Sequence, residues 1–154
     1  MTKLTRSKER VADLGEVFTP GHIVEDMHKL IPEESWADPT MIYLEPTCGN
    51  GQFVVKAVEK KIEAGLSPID ACNTVFGLDI MADNIEECRR RVWDLVKYQV
   101  PHAHRDRLRA IIVNNIVPVK DSLEYIKSGK WAEKKFFDHD PTEKGNQTLS
   151  LDQQ

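Results

Sequence analysis

Three acidic residues, Glu45, Asp79 and Asp121, stand at or just past the end of short apolar runs, and a glycine pair, Gly49-Asn50-Gly51, follows the first of them. Glycines ahead of a helix let the backbone come close to a ligand and leave unpaired N–H groups facing it. A dinucleotide site uses Gly-x-Gly-x-x-Gly, but here Val54 holds the third place, where its side chain crowds a pyrophosphate. Glu45, shortly before the turn, repels a diphosphate and attracts an ammonium or a sulfonium. Asp79 stands 28 residues after Gly51, where a short carboxylate can accept hydrogen bonds from both hydroxyls of a ribose. A cation beside a ribose describes S-adenosylmethionine, and the same features argue against an NAD-type oxidoreductase.

The elements that must carry these residues show as periodicity. Met41 to Leu44, Thr74 to Leu78 and Asn115 to Val119 read as short buried strands. Helical spacing places Ile23, Val24, Met27, Leu30 and Ile31 on one face before Pro32, and Phe53, Val54, Ala57, Val58 and Ile62 on another before Gly65. It recurs in Ile85, Cys88, Val92, Leu95 and Val96, then in Leu108, Ile111 and Ile112, and briefly in Leu123, Tyr125 and Ile126; Glu33 to Thr40 reads as a loop. Strands that alternate with helices form right-handed parallel βαβ units, whose ligands bind beyond the carboxyl ends of the strands. The predicted fold is therefore α/β and Rossmann-like, a short parallel sheet of about three strands with flanking helices, and it carries Glu45, Asp79 and Asp121 to one end.

With 154 residues, 40% of them hydrophobic, the chain can build one core and has no length for a second large module. The reading divides it into a basic flexible arm with a weak helical tendency (1–14), a ligand-binding domain (15–127) and a polar tail of disordered composition (128–154). A net charge of -4 gives no overall field for phosphates, so any contact with DNA is expected through a partner. No apolar run approaches a membrane span, and Cys48, Cys72 and Cys88 read as reduced thiols of a cytoplasmic protein. The five histidines show no metal-ligand grouping, and Arg89-Arg90-Arg91 reads as a solvated helix face.

Gly15-Glu16-Val17-Phe18-Thr19-Pro20, followed by Leu44-Glu45-Pro46-Thr47-Cys48-Gly49-Asn50-Gly51-Gln52-Phe53, resembles the N-terminal part of adenine-specific (N6) DNA methyltransferases, as in the modification subunits of restriction-modification systems. Gly77-Leu78-Asp79-Ile80 resembles that family's ribose-binding motif, and Val119-Lys120-Asp121-Ser122-Leu123 the motif whose acid reaches the cofactor's adenine. The resemblance covers residues 15 to 123 and implies a cofactor site made by Phe18, Thr19, Pro20, Glu45, Pro46, Cys48, Gly49, Gly51, Phe53, Asp79, Ile80, Asp121 and Leu123. Simpler roles compete residue by residue: the glycine pair as a plain strand-to-helix turn, Asp79 and Asp121 as helix caps.

The resemblance also implies an Asn/Asp-Pro-Pro-aromatic tetrad that holds a flipped adenine. Phe136-Phe137-Asp138-His139-Asp140-Pro141-Thr142 and Asn114-Asn115-Ile116-Val117-Pro118 both depart from it, so no catalytic residue is assigned. Two functions follow as expectations: the cofactor-binding part of a methyltransferase completed by a second chain, or a catalytically silent S-adenosylmethionine-binding module. In the topology the family implies, a chain with three strands leaves the first strand's outer edge unpaired, which predicts a homodimer or a complex with a partner methyltransferase chain.

Overall fold

The computed structural model describes residues 4–132; Phe136 to Thr142 and most of the predicted tail lie outside the described residues. Three parallel strands, β1 (Tyr43–Glu45), β2 (Val75–Asp79) and β3 (Ile116–Pro118), pair in the order β1-β2-β3. Glu45 stands opposite Gly77 and Asp79 opposite Pro118, so successive carboxyl ends fall at one edge of the sheet. The arrangement is compatible with a Rossmann-like fold.

The strands are short, and helices supply most of the core. In chain order these are α1 (Lys8–Leu14), α2 (Gly21–His28), α3 (Glu33–Trp36), α4 (Gln52–Glu63), α5 (Pro68–Asn73), α6 (Ala82–Val96), α7 (Arg105–Asn115) and α8 (Ser122–Lys127). Val54, Ala57 and Val58 of α4 join Ile85, Cys88 and Val92 of α6 and Leu108, Ile111 and Ile112 of α7 in one apolar cluster with Val75 and Ile116. Burying each of the larger of these side chains contributes about 1.5–3 kcal/mol before conformational entropy is subtracted. Ser67 starts α5, its Oγ accepting from the Asp70 N–H at 3.1 Å with Pro68 in the first helical turn.

Four local readings need correction. The N-terminal arm contains a helix: the Ser7 side chain caps α1 and Gly15 ends it in the left-handed region. Glu33 to Thr40 contains α3, and Trp36 within it is wholly buried. Ile23, Met27 and Leu30 face solvent while α2 buries Val24 and His28. The helix turns this way because the His28 ring belongs to an aromatic cluster, edge-on to Trp36, Tyr43 and Phe53 at 5.1, 5.4 and 5.7 Å. At the other end, Trp131 packs edge-on against Phe76 at 5.5 Å and its Nε1–H donates to the Ile126 carbonyl, so the first residues of the predicted tail belong to the fold.

Burial, with help from Lys60 and Lys56, pushes the His28 imidazole down from 6.5 to about 4, while its Nε2 shares a 2.7 Å hydrogen bond with the Tyr43 hydroxyl. Across that window the unfolded chain binds a proton that the folded chain refuses. Stability should therefore be complete above the unfolded value and fall by about 2–3 kcal/mol as pH drops through the window. Urea titrations at about pH 7 and about pH 5 measure the loss. His28→Gln should flatten it; an undiminished loss in that variant would assign the effect to other groups.

Candidate functional site

At the carboxyl ends of β1 and β2 lies a cleft of about 340 Å³, between the glycine turn and the segment that joins α1 to α2. Its walls are Leu14, Gly15, Glu16, Val17, Phe18 and Thr19 on one side, and Glu45, Thr47, Cys48, Gly49, Gln52, Phe53, Asp79, Ile80 and Met81 on the other. Eight of the residues expected from sequence meet here: Phe18, Thr19, Glu45, Cys48, Gly49, Phe53, Asp79 and Ile80.

The turn is built for close approach. Gly49 and Gly51 have φ of 53° and 101°, where an L-residue is strained. A Cβ on Gly49 would sit 3.1 Å from the Phe18 ring, and one on Gly77 3.1 Å from Cys48. The Cys48 N–H donates to the Leu78 carbonyl at 2.7 Å and so fastens the turn to β2. Arg91, read from sequence as part of a solvated face, donates to the Asn50 carbonyl at 2.9 Å, and Arg89 donates to the Ile116 and Val113 carbonyls. Of the three arginines only Arg90 is exposed.

Asp79 is half-buried and already employed. Oδ2 accepts from the Gly49 N–H at 2.9 Å and Oδ1 from the Met81 N–H at 2.8 Å, so the carboxylate joins the glycine turn to the start of α6. Its role as a local cap is therefore real, yet each oxygen keeps acceptor capacity for a ligand. Glu45 Oε1 accepts from the Thr47 N–H and hydroxyl, both at 3.2 Å, which turns the carboxylate along the cleft wall.

Five of the expected residues fall outside the lining. Pro20 is the residue before α2, Pro46 offers its carbonyl to the Ser122 hydroxyl at 2.6 Å, and Gly51 packs against Cys88. Asp121 caps α8, accepting from the Glu124 N–H at 3.0 Å, and Leu123 on that helix is 62% exposed. β3 ends at Pro118, and after Val119 the chain turns away into α8, which is why its acid does not arrive with the other two.

Glu16 and Gln52 lie within the quoted motifs, yet sequence reasoning gave them no role. Glu16 adds a third carboxylate to the cleft; its Oε2 accepts from Arg10 at 2.8 Å and from Asn84 at 2.7 Å. Gln52 ties the Phe18-Thr19 segment to α4 by donating to the Thr19 carbonyl at 2.9 Å. Their signal was position alone, beside Phe18 and directly after Gly51.

Glu16, Glu45 and Asp79 are the only charged side chains among the residues lining the cleft. Such a wall favours a cation and disfavours phosphate. The Cys48 thiol is held well above its ordinary value by its hydrogen bond with Cys88 and by burial, so it stays neutral and is a poor nucleophile. Among the described residues no cluster of three or more His, Cys, Asp or Glu could hold a metal ion, and no helix is long and apolar enough to cross a membrane. No family model matches the chain, and no curated protein and no solved structure is significantly similar to it.

Proposed function

We propose that this chain binds S-adenosylmethionine, as the cofactor-binding part of a DNA adenine N6-methyltransferase whose adenine-binding tetrad is supplied by a partner chain. The observation that carries the reading is the composition of one cleft: Glu45 and Asp79 flank a glycine turn too tight for a Cβ, and no basic side chain lines the wall. A carboxylate near the turn suits the ammonium and sulfonium end of the ligand, Asp79 suits the ribose, and Phe18 and Phe53 offer apolar cover. A cleft of about 340 Å³ lies within the usual range for small-ligand sites. When bound, the cofactor would supply a sulfonium methyl group; this chain's residues hold and orient it and exclude water. The departure of the sequence from the tetrad favours a second reading, a silent S-adenosylmethionine-binding module.

A partner is consistent with the apolar surface left open. Among the described residues no strand pairs with the outer edge of β1; Ile42 beside it is 43% exposed, and Ile23 and Met27 on α2 and Leu30 just beyond it face outward. A second copy or a partner methyltransferase chain would cover that surface, and DNA would be reached through it.

Calorimetry on a sample weighed by light scattering tests the proposal. S-adenosylmethionine and S-adenosylhomocysteine should bind and NAD should not; absence of binding by either sulfur ligand sinks the reading. The pure chain incubated with labelled cofactor and mixed duplex DNA should incorporate no methyl group. Incorporation only after a tetrad-bearing chain is added supports the split enzyme, whereas binding without activity in any mixture supports the silent module.

A further inference from the structure

We propose that the surface at the end of α6 and the start of α7 binds a single strand of nucleic acid, a base stacking on Tyr98 and phosphates meeting Lys97, Arg105 and Arg109. The inference goes beyond the cleft and does not depend on what the cleft holds. Met81 at the start of α6 is a cleft wall residue, and the 15 residues of that helix put about 20 Å between the cleft and this surface.

Charge is unevenly spread along the chain. From Arg89 to Arg109 there are seven arginines and lysines and two acids, in a protein whose net charge is -4. Arg89 and Arg91 donate to backbone carbonyls of the fold. Arg90, Lys97, Arg105 and Arg109 reach the surface, where Asp94 and Asp106 accompany them. Arg107 adds a charge beneath: it is 5% exposed, its Nε has no hydrogen-bond partner, and Asp70 on α5 acts on it only through space. Five cations against three acids leave a local positive field on an acidic protein, and such a field draws phosphates.

A solvated basic face would need no more than this, but here an aromatic ring stands among the cations. Tyr98 is 79% exposed and serves no core. Lys97 Nζ lies 5.1 Å from the centre of its ring and the Arg105 guanidinium 5.5 Å, while the Arg109 guanidinium lies 4.8 Å from the ring of partly buried Trp93. All three distances are within cation–π range. An open ring bordered by cations matches one nucleotide of a strand, a flat base next to a phosphate. An acidic peptide would use the cations and leave the ring idle, and a duplex keeps its base faces stacked inside.

The surface is held ready. Tyr98 sits in the first of two 3-10 turns, Lys97–Gln99 and His102–His104, and the buried side chains of Val96 and Val100 flank that first turn. The Arg105 Nε–H donates to the Lys97 carbonyl at 2.9 Å, which ties the loop to the start of α7. A loop already ordered loses little freedom when it binds. Asp94 holds Lys97 at 2.7 Å and Asp106 holds Arg109 at 2.6 Å; partly exposed pairs of this kind are weak enough to give way to a phosphate.

Fluorescence anisotropy of the full chain with a labelled oligodeoxythymidine of about 12 nucleotides tests the proposal, with a duplex of the same length alongside. The strand should bind, at least about fivefold more tightly than the duplex, and its affinity should fall with salt at a log–log slope of about -2, as three phosphates are engaged. Tyr98→Ala should weaken it about 5- to 100-fold and Tyr98→Phe less than about twofold, since the phenyl ring still stacks. Arg109→Gln should reduce the slope by about 0.7. Lys29→Gln, on an exposed lysine that follows α2, should change neither affinity nor slope. Urea midpoints equal to the wild type show that each variant folds. Failure of the wild type to bind the strand overturns the proposal, as does an affinity unmoved by Tyr98→Ala. Displacement of the strand by poly-glutamate at equal charge concentration overturns it too and gives the surface to an acidic protein. None of these readings involves the cleft, so the cofactor proposal and this one stand or fall separately.

Discussion

Asp79→Ala should weaken S-adenosylhomocysteine binding about 10- to 150-fold, the loss of roughly 1.5–3 kcal/mol of charge-assisted hydrogen bonding to the ribose. The same change orphans the Gly49 and Met81 N–H groups, which now bond the two oxygens at 2.9 and 2.8 Å, so the glycine turn should also loosen. Asp79→Asn separates the two effects in part. It preserves the shape and one acceptor, but its amide nitrogen must face one of the two backbone donors, so it should lose both affinity and stability. Calorimetry well below each variant's unfolding temperature, with urea titrations alongside, measures the pair. Unchanged affinity in Asp79→Ala would leave Asp79 a purely local cap and remove the ribose contact from the proposal.

Gly51→Ala should destabilise the fold by about 2–4 kcal/mol. Its φ of 101° strains an L-residue, at a cost of about 1–2 kcal/mol. A Cβ there would stand 2.8 Å from Cys88 Sγ and 3.3 Å from Cys88 Cα, and the backbone atom cannot yield as a side-chain tip would. Overpacking of that kind costs about 1–3 kcal/mol. Gly65 provides the internal reference, since φ is 112° and nothing lies near its Cβ. Gly65→Ala should therefore show the backbone cost alone, and the difference between the two variants, read by urea unfolding, is the packing at Cys88. Cys88→Ala in the Gly51→Ala background should recover part of that difference. Equal losses at the two glycines would mean that α6 gives way freely and that the turn is not clamped against it.

The glycine requirement, the three short strands and the helices between them were all readable from local patterns. Strand and helix periods, proline stops and glycine pairs act within a few residues, so Tyr43–Glu45, Val75–Asp79 and Ile116–Pro118 fall close to where apolar runs predict strands. Parallel βαβ winding then carries the ends of β1 and β2 together without further information, which is why Glu45 and Asp79 could be paired on sequence alone. The orientation of α2 was not readable in the same way. Histidine counts as polar in a periodic pattern, and only the surrounding Trp36, Tyr43 and Phe53 rings make its burial favourable.

Charged residues show the other limit. Arg6 finds Asn84 and Glu87 at separations of 78 and 81 residues, and Arg91 finds the Asn50 carbonyl 41 residues away. A guanidinium has no local preference that names its acceptor; the partner is whichever acceptor the packed helices leave within reach. Asp121 follows an apolar run in sequence much as Asp79 does, yet β2 runs to Asp79 itself whereas β3 stops at Pro118, and Asp121 caps α8. Sequence by itself determined the order of elements and the acids at two strand ends, since those depend on short-range sterics and burial. Tertiary structure alone decided that Glu16 joins them, that Asp121 does not, and that Arg6 and Arg10 tie the N-terminal helix to α6, because each of these depends on which long-range hydrogen-bond partners the folded chain brings within about 3 Å.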